Sequence, residues 1–142
     1  MDNTISIVSK IKTLSDSIIV QELERRGHVG LAPSHGDLLA NLVSAGELTK
    51  TEIADRIKKE KNTVTSLVKK LQILGYLNTR VNEKDARSTI VFLTPKGMMM
   101  KEDFIEISEK LYGIQYEQLD DKQIEVFKSV LKIIYENFEK NT

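Results

Sequence analysis

The sequence predicts a mainly α-helical chain carrying one small β-hairpin, on three observations. Apolar residues recur at helical spacing through most of the 142 residues. Capping residues and glycine stops divide that pattern into separate helices. Only residues 76–81 and 89–93 have the composition of strands, with a charged segment between them.

The first 26 residues read as a helix with Ile7, Ile11, Leu14 and Ile18 on one face, stopped by Gly27 and Gly30. Pro33 and Ser34, with Asp37 three residues on, open a second helix bearing Leu38, Leu39, Leu42 and Val43, and Gly46 ends it. Thr49 and Glu52 make a capping box, each side chain able to satisfy an orphan amide of a short third helix with Ile53, Ala54 and Ile57 inward. Lys58, Lys59 and Glu60 form a polar break before a fourth helix over 61–74, closed by Gly75. The hairpin follows, its strands joined by the loop NEKDARS. Thr94 and Pro95 have N-cap and N1 chemistry for a long fifth helix. Asp120 and Gln123 box the start of a sixth, where Ile124, Phe127, Leu131, Ile134 and Phe138 form one apolar stripe.

Two helices joined by a tight turn and followed by a two-stranded hairpin make a winged helix-turn-helix. Ile53, Ala54, Ile57, Val64 and Leu67 fall where the two helices of such a unit touch. The expected organisation is one domain over 1–142. Its winged part runs from 34 to 94, and the flanking helical parts over 1–30 and 95–142 serve dimerisation.

Composition narrows the function. The absence of cysteine excludes a disulfide framework, a thiolate metal site, a cysteine nucleophile and a thiol redox sensor. No apolar run approaches the length of a membrane span, and the N-terminus lacks a basic segment followed by an apolar one, so a cytoplasmic protein with no membrane partner is expected. Formal net charge is zero, yet residues 56–87 hold nine basic residues against three acids, while residues 1–55 and 101–142 are net acidic. A basic middle on an anionic body is the footprint of a nucleic-acid face.

The fourth helix has two chemically different sides. Val64, Leu67, Val68, Leu71 and Leu74 cluster on one; Asn62, Ser66 and Lys69 lie opposite, flanked by Thr63, Thr65 and Lys70. A merely solvated face usually interleaves Glu with Lys, but residues 61–75 contain no acid. Asn62, Thr65, Ser66 and Lys69 are therefore expected to read base edges, and Lys69 and Lys70 to meet phosphate. Ser34, Thr49 and Lys61, at the starts of three helices, complete the candidate set there. At the hairpin, Arg87 suits a narrow minor groove, Asp85 can hold its guanidinium by a paired hydrogen bond, and Lys84 suits phosphate. The rival class, a winged helix that binds protein, is disfavoured because this face carries no aromatic or aliphatic anchor.

No catalytic set is evident: no carboxylate is paired with a nucleophile, and Gly97 belongs to no phosphate-cradling loop. His28 and His35 without cysteine make a poor metal set, so surface or helix-start roles are expected, with no metal and no cofactor. Met98, Met99 and Met100 are read as core packing at the start of the fifth helix, and Tyr112, Tyr116 and Tyr135 as packing or dimer residues.

The stretches LAPSHGDLL, LTKTEIADRI, NTVTSLVKKLQILGYL and DARSTIVFLTPKG, in register from about residue 30 to 97, together resemble a MarR-type transcriptional regulator. Asp85, Arg87, Leu93, Thr94 and Gly97 form the most specific part. The resemblance implies a homodimeric repressor or activator on a palindromic DNA operator, often released by a small ligand. It also implies Arg87 at the wing tip entering the minor groove, with Asp85 orienting it. Three positions depart from the family pattern. Glu60 stands where Ser or Asp usually caps the recognition helix, Lys59 where an apolar residue plugs the turn, and Lys58 where a small residue is common. Ile7 and Ile11 of the first helix, with Ile124, Phe127, Leu131, Ile134 and Phe138, are the candidate dimer residues. Any effector is expected to be non-covalent and to bind between the dimerisation helices and the winged helix.

Overall fold

The computed structural model describes residues 1–142. It contains α1 (Thr4–Arg25), α2 (Pro33–Ala45), β1 (Glu47–Thr49), α3 (Lys50–Ile57), α4 (Lys61–Ile73), β2 (Leu77–Asn82), β3 (Asp85–Leu93), α5 (Pro95–Met98), α6 (Met100–Gln115) and α7 (Asp121–Lys140). Two compact units arise, Met1–Ile107 and Ser108–Thr142. The division falls within α6, so α1 and residues 95–107 group with the winged helix and not with α7.

In the first unit, the cores of α2, α3 and α4 are built from the residues their periodicity selects. Leu38, Leu39, Leu42, Ile53, Val64 and Leu71 are fully buried, joined by Leu23 from the end of α1 and Met100 from the start of α6. A three-stranded antiparallel sheet, ordered β1-β3-β2, closes one side. β1 is absent from the sequence reading. Its three residues pair with β3 as Glu47↔Phe92, Leu48↔Val91 and Thr49↔Ile90, which buries Leu48. The long fifth helix is divided at Met99 into α5 and α6. Gly97, a weak helix former, precedes the break with its backbone pressed on the Tyr76 carbonyl. Of the three consecutive methionines only Met100 is core; Met98 and Met99 are exposed.

The capping boxes of α3 and α7 form as expected. The Glu52 amide donates to Thr49 Oγ1 at 3.1 Å, and the Thr49 amide to Glu52 Oε1 at 2.9 Å. The same reciprocal pair joins Asp120 and Gln123 at 2.8 and 3.0 Å. At α2 the cap differs. Ala32 is the N-cap, Pro33 occupies N1, and Ser34, at N2, is two residues too late to cap. The ring of His35 does the capping instead, Nδ1 accepting from the Ala32 amide at 2.9 Å.

His35 is therefore a buried helix-start residue, and its cap requires a lone pair on Nδ1. Burial first, and the charge of Lys70 second, hold its pKa below the ordinary 6.5. The unfolded chain then binds more protons as pH falls. The stabilisation from neutral His35 is complete above the unfolded value of 6.5 and is lost as pH drops from there through the lowered folded value. Thermal melts at about pH 7.5 and about pH 5.5, spanning the imidazole range, are expected to show a smaller fall in Tm for His35→Asn than for the wild type. The Asn oxygen can accept the same bond without titrating. Equal falls would assign the acid sensitivity to other groups.

In the second unit, Tyr112 and Tyr116 meet edge to face with ring centroids 4.8 Å apart, and Tyr116 meets Phe127 at 6.4 Å. Lys128 lies over both tyrosine rings. Ile124 is the one buried residue of the 20-residue α7. It follows the Asp120 cap within the first turn and is covered within the single chain, so it does not share the exposure of the stripe it was assigned to. Phe127, Leu131 and Phe138 remain exposed and Ile134 is half-buried.

Candidate nucleic-acid interface

The turn between α3 and α4 is made by Lys58 in the left-handed conformation, φ 55°, with the Lys59 amide donating back to the Ala54 carbonyl at 3.1 Å. A lysine here accepts the strain that Gly or Asn would avoid. Ile53, Ile57 and Val64 are buried and Ala54 half-buried where the two helices cross. Glu60 occupies the N-cap of α4 and its side chain makes no cap bond. Its own carbonyl still accepts from the Val64 amide at 3.0 Å, so α4 begins where the sequence predicts without side-chain capping.

α4 divides as its sequence does. Val64, Val68 and Leu71 are buried and Leu67 and Leu74 half-buried, whereas Lys61, Asn62, Thr63, Thr65, Ser66, Lys69 and Lys70 are all exposed. The Ser66 hydroxyl donates to the Asn62 carbonyl at 3.2 Å, leaving its oxygen free to accept. Thr49, by contrast, is half-buried and its oxygen is committed to the α3 cap, while Ser34 is half-buried on the first turn of α2.

The far end of α4 is fixed by residues the sequence reading did not assign to the site. Gly75, φ 87°, makes a Schellman end: its amide donates to the Gln72 carbonyl and that of Tyr76 to Leu71, both at 3.0 Å. Three successive carbonyls then receive donors from the segment that leads into α5. Lys96 Nζ donates to Leu74 at 2.7 Å, Thr94 Oγ1 to Gly75 at 2.5 Å and the Thr94 amide to Tyr76 at 3.1 Å. Lys96 also lies 4.3 Å from the Tyr76 ring centroid. These pairings join residues about twenty apart, beyond the reach of a local pattern.

The wing is a hairpin of β2 and β3 whose tip is Glu83 and Lys84, steadied by the Asn82 side chain accepting from the Lys84 amide at 3.1 Å. Its register jumps from Val81↔Thr89 to Asn82↔Asp85, leaving Ala86, Arg87 and Ser88 without partners on β2. Arg87 thus stands on this irregularity and not at the tip itself, its side chain 93% exposed. The expected paired hydrogen bond from Asp85 is a single one: Asp85 Oδ1 accepts from Arg87 Nε at 3.3 Å and from the Arg87 amide at 3.0 Å. One oxygen serves both because an Asx-type turn holds the carboxylate toward the backbone. Arg80, on β2, is diverted to Glu47 at 2.6 Å. Lys58 and Lys59 at the α3–α4 turn, Lys61, Lys69 and Lys70 on α4, and Lys84 and Arg87 on the wing are all exposed.

A helix–turn–helix over α3 and α4 with a β2–β3 wing defines the class as a winged helix-turn-helix protein. The model of the MarR family matches residues 29–88. A MarR transcriptional regulator from Methanosarcina mazei superposes with a TM-score of 0.84, covering 96% of this chain and 96% of that one at 26% identity. A MarR family regulator of Listeria monocytogenes, solved with a 26mer DNA, gives 0.88 over 99% of this chain and 92% of that one at 19% identity. The HTH-type transcriptional repressor IacR of Pseudomonas putida is 24% identical over 94 residues, 66% of this chain and 56% of that protein. The match thus spans little more than half the length of this curated relative. Over residues 29–88 the chain is similar to the MarR family, and the relatives it matches are named as transcriptional regulators. No helix is long and apolar enough to cross a membrane.

Proposed function

We propose that this protein is a sequence-specific DNA-binding transcriptional regulator acting as a homodimer on a palindromic operator. The observation that carries the reading is the exposed, acid-free face of α4. Asn62, Thr65 and Ser66 offer short hydrogen-bonding groups to base edges, and Lys61, Lys69 and Lys70 are free to meet phosphate. The DNA in the Listeria relative's structure supports it. Binding to a protein partner is the weaker reading, since such a partner would face this helix surface with Ile73 as its one large exposed apolar residue.

The dimer reading rests on exposed apolar surface. On α1, Ile5, Ile7, Val8, Ile11 and Leu14 are all exposed, and on α7 so are Val126, Phe127, Val130, Leu131, Ile133 and Phe138. Two copies would also present two recognition helices to successive major grooves, about 34 Å apart. Sedimentation at micromolar concentration is expected to give a species of twice the 16.1 kDa chain mass; a lone monomer would overturn the dimer.

A small non-covalent effector fits the absence of cysteine. A groove of about 430 Å³ between the start of α3 and the wing, lined by Leu48, Ile90, Glu52, Arg80 and Lys84 among others, is one place that could hold it. It lies within the winged part and not between that part and the flanking helices, where the sequence reading expects an effector.

The wing supplies a test of the DNA reading. Arg87→Ala is expected to weaken operator binding severalfold with folding unchanged, because a fully solvated turn ion pair contributes only about 0–1 kcal/mol to stability. Lys84→Ala should lower the slope of log affinity against log salt by about 0.9, the loss of one phosphate contact. Unchanged affinity and slope in both variants would leave the wing as an ordinary solvated hairpin.

A further inference from the structure

Two helix ends in the first unit are built alike, and their side chains meet. α1 closes as α4 does, with Gly27 at φ 90°, its amide donating to the Glu24 carbonyl and the His28 amide to the Leu23 carbonyl at 2.8 Å. His28 therefore holds the same position after α1 that Tyr76 holds after α4. His28 Nδ1 lies 3.0 Å from the Tyr76 hydroxyl, and His28 Nε2 lies 2.7 Å from Asp103 Oδ2 on α6. Tyr76 is 3% exposed, so its hydroxyl is withdrawn from water except through this bond. An ionised Asp103 carboxylate can only accept, so His28 Nε2 donates to it, while Nδ1 pairs with the Tyr76 hydroxyl, which can donate or accept.

Asp103 is itself held. Its other oxygen, Oδ1, lies 3.4 Å from an Arg26 guanidinium nitrogen, and the same nitrogen donates to Glu106 one turn further along α6. Arg26 also reaches Glu22 on α1 at 3.5 Å. The charged groups around His28 are thus Asp103, Arg26, Glu106 and Glu22. Hydrogen bonds connect the end of α4 through Tyr76 and His28 to the first two turns of α6.

We propose that Tyr76, His28 and Asp103 are positioning residues for DNA binding, a hydrogen-bonded chain through which α6 sets where the end of the recognition helix lies. The inference rests on the DNA-binding reading of α4, whose far end Tyr76 already fixes through its amide and carbonyl. None of the three need touch DNA. The Tyr76 hydroxyl adds to those backbone bonds a side-chain link that runs through His28 to α6.

The test uses Tyr76→Phe and Asp103→Asn, each of which keeps the shape of its side chain, and the double variant, all in the full chain. Each single change is expected to lower affinity for a selected operator duplex by about threefold to tenfold, the range of one lost hydrogen bond. Affinity for a random duplex should stay constant. The double variant should be no weaker than the weaker single one, because both cut the same chain. Hydrogen exchange, read without DNA, should quicken around residues 74–77 in Asp103→Asn and around residues 100–107 in Tyr76→Phe. Additive losses, or exchange that changes only beside each substituted residue, would overturn the linkage. Exchange that spreads as expected in a protein that selects no operator would instead sink the DNA-binding reading and keep the linkage.

Discussion

Replacing Asn62, Thr65 and Ser66 together by alanine is expected to weaken operator binding by about 100-fold or more and to abolish base preference. A side chain reading a base edge is worth about 1–3 kcal/mol, so three lost together remove about 3 kcal/mol or more, above the roughly 2.8 kcal/mol that a 100-fold loss represents. Instability cannot produce this result. All three residues are exposed on α4, and alanine has the higher helix propensity at each position. The one internal bond removed, from Ser66 to the Asn62 carbonyl, is a back-bond that contributes little to a helix. Binding to non-specific duplex should persist, since Lys61, Lys69 and Lys70 are untouched. If the triple variant keeps wild-type affinity and selectivity in a gel-shift or anisotropy titration, α4 does not read the operator with this face.

Gly97→Ala is the second large effect, and it concerns the frame and not the contact. A Cβ at this position would lie 2.0 Å from the Tyr76 carbonyl oxygen and 2.9 Å from a Leu93 methyl. The first neighbour is backbone, fixed by the bond it accepts from the Thr94 amide and by the Schellman end of α4. Relief requires α5 to lift away from the start of β2, breaking that bond together with those from Thr94 Oγ1 and Lys96 Nζ. The loss of stability should be about 3 kcal/mol or more, at the upper end of overpacking costs. Chemical denaturation should show it directly. A wild-type midpoint for this variant would mean that α5 moves freely, and the account of how α4 is anchored would fail with it.

The two changes separate what a sequence can disclose from what it cannot. The faces of α4 were readable because burial there follows a 3.6-residue period, and the caps at Thr49, Thr94 and Asp120 were readable because their partners lie three residues away. β1 was not: three residues cannot express a period, and Leu48 is buried only because β3 pairs beside it. The α2 cap was missed for a chemical reason, since an imidazole rather than a hydroxyl accepts the Ala32 amide. His28 looked like a surface residue because its partners, Tyr76 and Asp103, are 48 and 75 residues away. At the wing, Lys84, Asp85 and Arg87 lie on the hairpin as expected, but the register jump at Val81 and Asn82 moves Arg87 off the tip, and the forked ion pair is a single bond. Of the dimer candidates, Ile124 is buried in the single chain because a helix-start residue beside the Asp120 cap folds inward, a position that periodicity alone treats like its neighbours in the stripe.

The central claim is that an exposed, acid-free recognition helix on a dimer reads DNA sequence. It is tested most directly by selecting duplexes from a random pool with the purified full chain. The expected result is enrichment of one inverted repeat with half-site centres about 10 base pairs apart, one helical turn, as two-fold symmetry requires. Recovery of no preferred sequence by a folded dimer that binds duplex only through its charge would contradict it.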